Sequence, residues 1–117
     1  MNIIFWNIRG IGNNESRIAL SELCRLIRPS FTFIVEPMVT RDSIPNWFWT
    51  SINVTQFCVN KRELLHPNLW PVWGPHVSFT VIFASSQCPV LEHVCKGTRI
   101  FIAGVYASMS YFLRRQL

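Results

Sequence analysis

Carboxylates are scarce in this chain. Asp42 is its single aspartate, and the glutamates are Glu15, Glu22, Glu36, Glu63 and Glu92. Any chemistry that needs several clustered acids must draw on these six residues. Lysine is scarce as well. Only Lys61 and Lys96 stand among the eleven basic residues, the rest being arginine. No C-x-x-C pair is present, so a zinc set could be drawn only from Cys88, His93 and Cys95. No apolar stretch approaches the roughly 20 residues of a membrane-spanning helix. The initial apolar run, Ile3 to Trp6, is too short for a secretory signal. Without that signal an oxidising compartment has no support. Cys24, Cys58, Cys88 and Cys95 are therefore expected as free, mostly buried thiols of an intracellular protein rather than as two disulfides. Repeats, low-complexity tracts and charge blocks are all missing.

What is abundant is apolar surface. Half of the 117 residues are hydrophobic, 15% are charged, and mean hydropathy is +0.24. Disorder requires the opposite balance. The length suits one small domain or a piece of a larger one. The net charge of +5 rests mainly on arginine, whose planar fork matches phosphate. A nucleic-acid partner, DNA in particular, fits that balance, as does an inert basic surface.

The hydrophobic pattern gives an order of elements. Residues 2–7 read as a buried strand that ends at Asn7, followed by a loop with Gly10 and Gly12. Asn14 is the expected N-cap of a helix over about 15–28. Leu20, Leu23, Cys24 and Ile27 have the spacing of one buried face, and Pro29 stops the helix. Arg17, Arg25 and Arg28 fall mainly on the other side. Phe31 to Val35 is a continuous apolar run, as in a strand covered on both faces, and it ends at Glu36-Pro37. Strand, helix, strand commonly makes two parallel neighbours. Ligands of open α/β sheets lie beyond the carboxyl ends of such strands, so Asn7 and Glu36 are expected together. Residues 46–51 read as a short helix or loop, and 53–59 as a strand. The prolines around Leu69 to Trp73 allow only a short or edge strand there. Val77 to Ala84 and Pro89 to Cys95 read as strands, with Lys96-Gly97 as a hairpin turn. Arg99 to Tyr106 returns as a strand, and Met109 to Leu117 opens a helix. The fold class is α/β.

Trp6-Asn7-Ile8-Arg9-Gly10, a helix, "FIVEP", and then "VYAS" after a strand resemble the endonuclease/exonuclease/phosphatase superfamily. More narrowly, the chain resembles the N-terminal endonuclease region of the reverse-transcriptase protein of plant LINE-type, non-LTR retrotransposons. The tail "VYASMSYFLRRQL" is especially similar to those elements. The resemblance implies the N-terminal part of a four-layer sandwich of two sheets flanked by helices, over 1–117, with the second half absent. It implies metal-dependent hydrolysis of DNA phosphodiesters with Mg²⁺, in the nucleus, and neither a membrane nor a small-molecule cofactor. Glu36 matches the carboxylate ligand of the ion. Asn7 matches a neutral oxygen ligand or orienting group beside it, which adds no charge where an anionic phosphate must bind. Tyr106 matches the tyrosine whose hydroxyl approaches the scissile phosphate. Arg9, Arg114 and Arg115 are further candidate phosphate contacts, though a solvated face suits each of them better.

The resemblance also marks what is not here. Complete members carry a Gly-Asp-Phe-Asn type motif after the tyrosine strand, a later aspartate and a terminal Ser-Asp-His. Nothing acidic follows Tyr106, and Asp42 matches none of those motifs. Tyr106-Ala107-Ser108-Met109 stands where related endonucleases often have Tyr-Ala-Pro-Asn. His66, His76 and His93 lack the context of a catalytic base. Three functions compete: an inactive, truncated endonuclease, half of a nuclease completed by another chain, and a non-catalytic nucleic-acid-binding module.

Overall fold

A computed structural model describes residues 1–60, 62 and 66–106. It is a mixed α/β globule with two sheets and few helices. Strand β1 (Ile3–Asn7), helix α1 (Asn14–Ile27) and strand β2 (Phe31–Val35) come first. A 3₁₀ turn (Arg41–Ser43) and helix α2 (Asn46–Ser51) follow, then β3 (Gln56–Phe57) and β4 (Leu69–Trp73). Strands β5 (Thr80–Ala84), β6 (Pro89–Cys95) and β7 (Thr98–Ala103) form a meander. The first sheet has the order β1-β2-β4-β3, and the second has the order β5-β6-β7.

The first sheet is the middle layer. β1 and β2 run parallel in the register Ile3↔Phe31 to Asn7↔Val35, as the crossover predicted. Alternation along β2 and β4 sends Ile34, Trp70 and Val72 to one face, where they pack with Leu20 of α1 and Phe48 and Trp49 of α2. Phe31, Phe33, Val35, Leu69 and Trp73 go to the other face, against Phe79, which leads into β5, and Leu91 of β6. Both faces of β2 are thereby covered, and all five of its residues are buried.

Several elements differ from the sequence reading, each for a physical reason. β1 is not buried through. It is the edge strand, and Ile3 and Phe5 remain 44% and 51% exposed. Asn13, not Asn14, caps α1, its side chain accepting the Ser16 N–H at 2.8 Å. Of the expected apolar helix face, Leu20 alone is fully buried. Leu23 and Cys24 are half-buried and Ile27 is exposed, and Ser21, Cys24 and Arg25 line a groove of about 650 Å³ beside the helix. Burial there pushes the Cys24 thiol up to about 11. Strand 53–59 shrinks to two residues, with Asn53 at φ 60 interrupting extended backbone. Val77 to Ala84 is strand only from Thr80. Cys95 is exposed at the hairpin end, and Cys24 and Cys88 are half-buried free thiols. The helix expected over 109–117 lies outside the described residues.

β4 is the instructive difference. It is neither an edge nor short of partners, since it lies between β2 and β3. The carbonyls of Leu69, Pro71 and Trp73 all accept from the 55–60 segment, through the N–H groups of Asn60, Cys58 and Thr55. In an antiparallel ladder the N–H of a residue points the same way as its carbonyl. The missing N–H of Pro71 therefore points away from β2, to the side where β3 ends at Phe57. Proline costs this strand one bond to a two-residue neighbour and none to the central strand.

Cys95 pairs with Thr98, which leaves Lys96-Gly97 as a two-residue hairpin loop. Both loop residues have positive φ, at 52° and 80°, the type I′ signature. Asparagine tolerates the first position better than lysine does. Lys96→Asn is expected to stabilise the fold by about 0.5 kcal/mol. The check is a higher denaturant midpoint at unchanged slope.

Candidate functional site

The site forms where β1 and β2 end together. Beyond the strands the two chains remain laced. Ile8 N–H donates to the Val35 carbonyl at 2.9 Å, Gly10 N–H to Glu36 at 2.8 Å, and Ile11 N–H to Pro37 at 2.9 Å. Glu36 N–H donates in turn to the Asn68 carbonyl at 2.9 Å. This lacing holds three non-glycine residues in left-handed backbone: Arg9 (φ 49), Glu36 (φ 53) and Met38 (φ 67). Such conformations cost on the order of 1–3 kcal/mol each and collect at functional sites. Asn7 closes its own turn, its Oδ1 accepting the Arg9 N–H at 3.2 Å.

Tyr106 reaches the same corner from the second sheet. β7 ends at Ala103, short of the expected Tyr106, because its ladder with β6 runs out where β6 begins at Pro89. The chain nevertheless keeps pairing. Gly104 N–H donates to the Pro89 carbonyl at 3.2 Å, and Tyr106 N–H to Gln87 at 2.9 Å. Gly104 lies against the Phe33 ring so closely that a Cβ there would meet three ring carbons at 2.4, 2.6 and 2.9 Å. A glycine inside a strand pattern signals this kind of approach. Two residues later, the Tyr106 hydroxyl donates to Glu36 Oε1.

Asn7, Glu36 and Tyr106 therefore converge on one carboxylate. The Tyr106 hydrogen bond is the main cause that holds the Glu36 pKa below its ordinary value. The Asn7 side chain is the second cause, and the Arg9 charge adds to both against partial burial. The Tyr106 phenol is pushed up in return, by its bond to Glu36, by burial and by the carboxylate charge. Arg62 and Arg9 offset part of that rise.

No protein-family model matches this chain, and no curated protein matches it.

Other candidates are not brought to this corner. Among the described residues no three His, Cys, Asp or Glu side chains cluster as a metal set. Cys88, His93 and Cys95 do not gather. The His93 ring instead makes a 2.8 Å hydrogen bond with the Ser78 carbonyl. His66 and His76 are exposed. Arg9 is exposed beside the carboxylate, whereas Arg17 is spent on the carbonyls of Ile11 and Gly12 at 3.4 and 3.2 Å. Arg114 and Arg115 lie outside the described residues. No helix among the described residues is long and apolar enough to cross a membrane.

Sequence reading missed Gly104 and Asn60. Gly104 carried a signal, a glycine between the apolar run of β7 and a tyrosine. Asn60 carried none, being one more polar residue near Lys61 and Arg62.

The paired shifts fix a pH interval. A lowered Glu36 pKa contributes stability that is present above the ordinary carboxylate value and lost as pH falls through the depressed one. A raised Tyr106 pKa contributes stability that is present below the ordinary phenol value and lost as pH rises through the elevated one. In a Tyr111→Phe background, Glu36→Gln is expected to bring the phenolate absorbance midpoint of Tyr106 down toward an ordinary tyrosine. An unmoved midpoint would show that the contact is absent in solution. Gly104→Ala is expected to destabilise by about 1–3 kcal/mol through overpacking on Phe33. It should lower the same midpoint by pushing the 104–106 segment off the sheet.

Proposed function

We propose that these residues form the metal-holding corner of a phosphodiester-cleaving endonuclease domain of the endonuclease/exonuclease/phosphatase type. More narrowly, the resemblance is to the endonuclease region of LINE-type retrotransposons. The proposal includes an incomplete form of the four-layer sandwich. One observation carries it: residues matched to that family at three separate places, 7, 36 and 106, meet on a single carboxylate.

The donor set fits a hydrated Mg²⁺ ion. Magnesium takes oxygen ligands, keeps several waters and often uses only one or two carboxylates. Glu36 is a carboxylate at neutral pH, as any ordinary glutamate is, and its neighbours hold its pKa lower still. Asn7 Oδ1 accepts one backbone N–H and retains a second lone pair. When bound, such an ion offsets negative charge on a phosphate and orients water. Glu36 would hold it, Asn7 would orient the carboxylate or share the ion, and the Tyr106 hydroxyl, whose one hydrogen goes to Glu36 here, would turn that donor to a phosphate oxygen when substrate binds. Arg9 adds a cation at the mouth of the corner. The single carboxylate limits repulsion of the DNA backbone.

The acid-base pair is another matter. The Gly-Asp-Phe-Asn and Ser-Asp-His groups of the family do not occur in these 117 residues. Asp42 sits exposed in the 3₁₀ turn Arg41–Ser43. These residues alone are therefore a holding site without the groups that move protons.

Purified 1–117 is expected to bind Mn²⁺ at this corner, read as paramagnetic broadening of the Asn7 and Glu36 amide signals that Glu36→Gln removes. It is expected not to nick supercoiled plasmid with Mg²⁺ above a Glu36→Ala control, because loss of a catalytic unit costs on the order of 10⁶ in rate. Absence of broadening would refute the metal corner. Nicking abolished by Glu36→Ala would refute the claim that the residues are inactive alone.

A further inference from the structure

Asn60 is fully buried, with 0% of its surface exposed. Burying a polar side chain is costly unless its hydrogen bonds are met. Here they are met completely. Asn60 Oδ1 accepts the backbone N–H groups of Asn68 and Leu69, both at 2.9 Å. Its Nδ2 donates to Asn68 Oδ1 and to the Ser86 carbonyl, both at 2.7 Å. Two acceptances and two donations use the full capacity of a carboxamide. Its backbone N–H also donates to the Leu69 carbonyl at 3.2 Å.

The partners matter more than the count. Asn68 is the residue whose carbonyl receives the Glu36 N–H. Ser86 precedes Gln87, whose carbonyl receives the Tyr106 N–H. One buried side chain thus joins the segment that supports the backbone of Glu36 to the segment that supports the backbone of Tyr106. The first segment belongs to the four-stranded sheet. The second is the turn between β5 and β6 of the other sheet. Neither Glu36 nor Tyr106 touches Asn60, so its influence passes through these two carbonyls.

We infer that Asn60 is a positioning residue, which holds the Asn68 and Ser86 segments in one frame and so keeps the Glu36 carboxylate and the Tyr106 hydroxyl in contact. The contact is a feature of the fold itself and does not rest on the metal reading. Only its use in phosphodiester chemistry rests on the reading given above.

The two arms can be cut separately. Asn60→Asp keeps an acceptor for the Asn68 and Leu69 N–H groups. It loses both donations, and of these only the Asn68 one can be restored, by turning the Asn68 carboxamide so that its Nδ2 donates to the new carboxylate; the backbone carbonyl of Ser86 cannot become a donor. Asn60→Ala removes both arms. Leu20→Ala serves as the control, because it opens the core on the helix side of the sheet without touching either segment. Amide hydrogen exchange by NMR reads the result, together with the through-space contact between the Tyr106 ring and the Glu36 side chain. For Asn60→Asp, exchange of the Tyr106 N–H should accelerate about ten- to a hundred-fold relative to the global rate while the Glu36 N–H keeps its protection. The ring contact should vanish. Asn60→Ala should release both N–H groups. Leu20→Ala should accelerate exchange across the chain and leave the ring contact in place.

A wild-type measurement covers the case in which the Asn60 variants do not fold. The Asn60 Nδ2 hydrogens should exchange as slowly as the Glu36 and Tyr106 N–H groups, since all open in one event. Faster exchange of that carboxamide would overturn the inference. So would an Asn60→Asp variant that keeps the Tyr106–Glu36 contact. A chain with intact coupling but no Mn²⁺ broadening at Glu36 would refute the metal reading alone.

Discussion

The absence of a side chain at position 104 sets how closely the two sheets approach. Gly104 rests on the Phe33 ring at a distance that no Cβ could occupy. Everything between the sheets is filled to match that spacing. Phe31 packs edge-on against Phe33 at 4.7 Å, stacks on Trp73 at 5.7 Å, and meets Phe79 at 4.7 Å. Aromatic rings fill a gap of this kind because they bring large area with few rotamers. The same close passage carries the chain from β7 across the end of β2. Without it Tyr106 would fall short of the carboxylate that it contacts.

Strain at this corner is balanced by lacing. Arg9, Glu36 and Met38 hold a backbone conformation that ordinary side chains avoid. They keep it because the N–H groups of Ile8, Gly10 and Ile11 bond the successive carbonyls of Val35, Glu36 and Pro37, and Glu36 leans on Asn68. The result is a rigid platform built from loops. The pKa of its one carboxylate is lowered first by the hydrogen bonds of Tyr106 and Asn7 and only last by the charge of Arg9. A second carboxylate would raise the pKa of the first and repel an anionic ligand.

The sequence carried the front of the fold well. Apolar spacing showed β1, α1 and β2, and the crossover rule then brought Asn7 and Glu36 to one end. Matching by motif added Tyr106, which topology alone could not have linked to them. What escaped reading depended on direction and on distant neighbours. Pro71 looked like an edge residue, because sequence does not say toward which strand a missing N–H points. The face of α1 looked continuous, because periodicity does not say where a groove will open beside the helix. Asn60 drew no reading at all, because its partners Asn68 and Ser86 are 8 and 26 positions away. A buried carboxamide is legible only once its hydrogen-bond partners are in place.

Glu36 and Tyr106 are 70 residues apart along the chain. A loop of that length makes their meeting a late event, since long-range contacts form only after the entropy of closure has been met. A ribosome adding 5–20 residues per second needs roughly 4–14 s to travel from one to the other. During that interval β1 and β2 can pair and α1 can cover them, while the carboxylate stands without its tyrosine. The order of synthesis therefore separates an early scaffold from a late closure. Tyrosine contact at Glu36 is a marker that the second sheet has arrived.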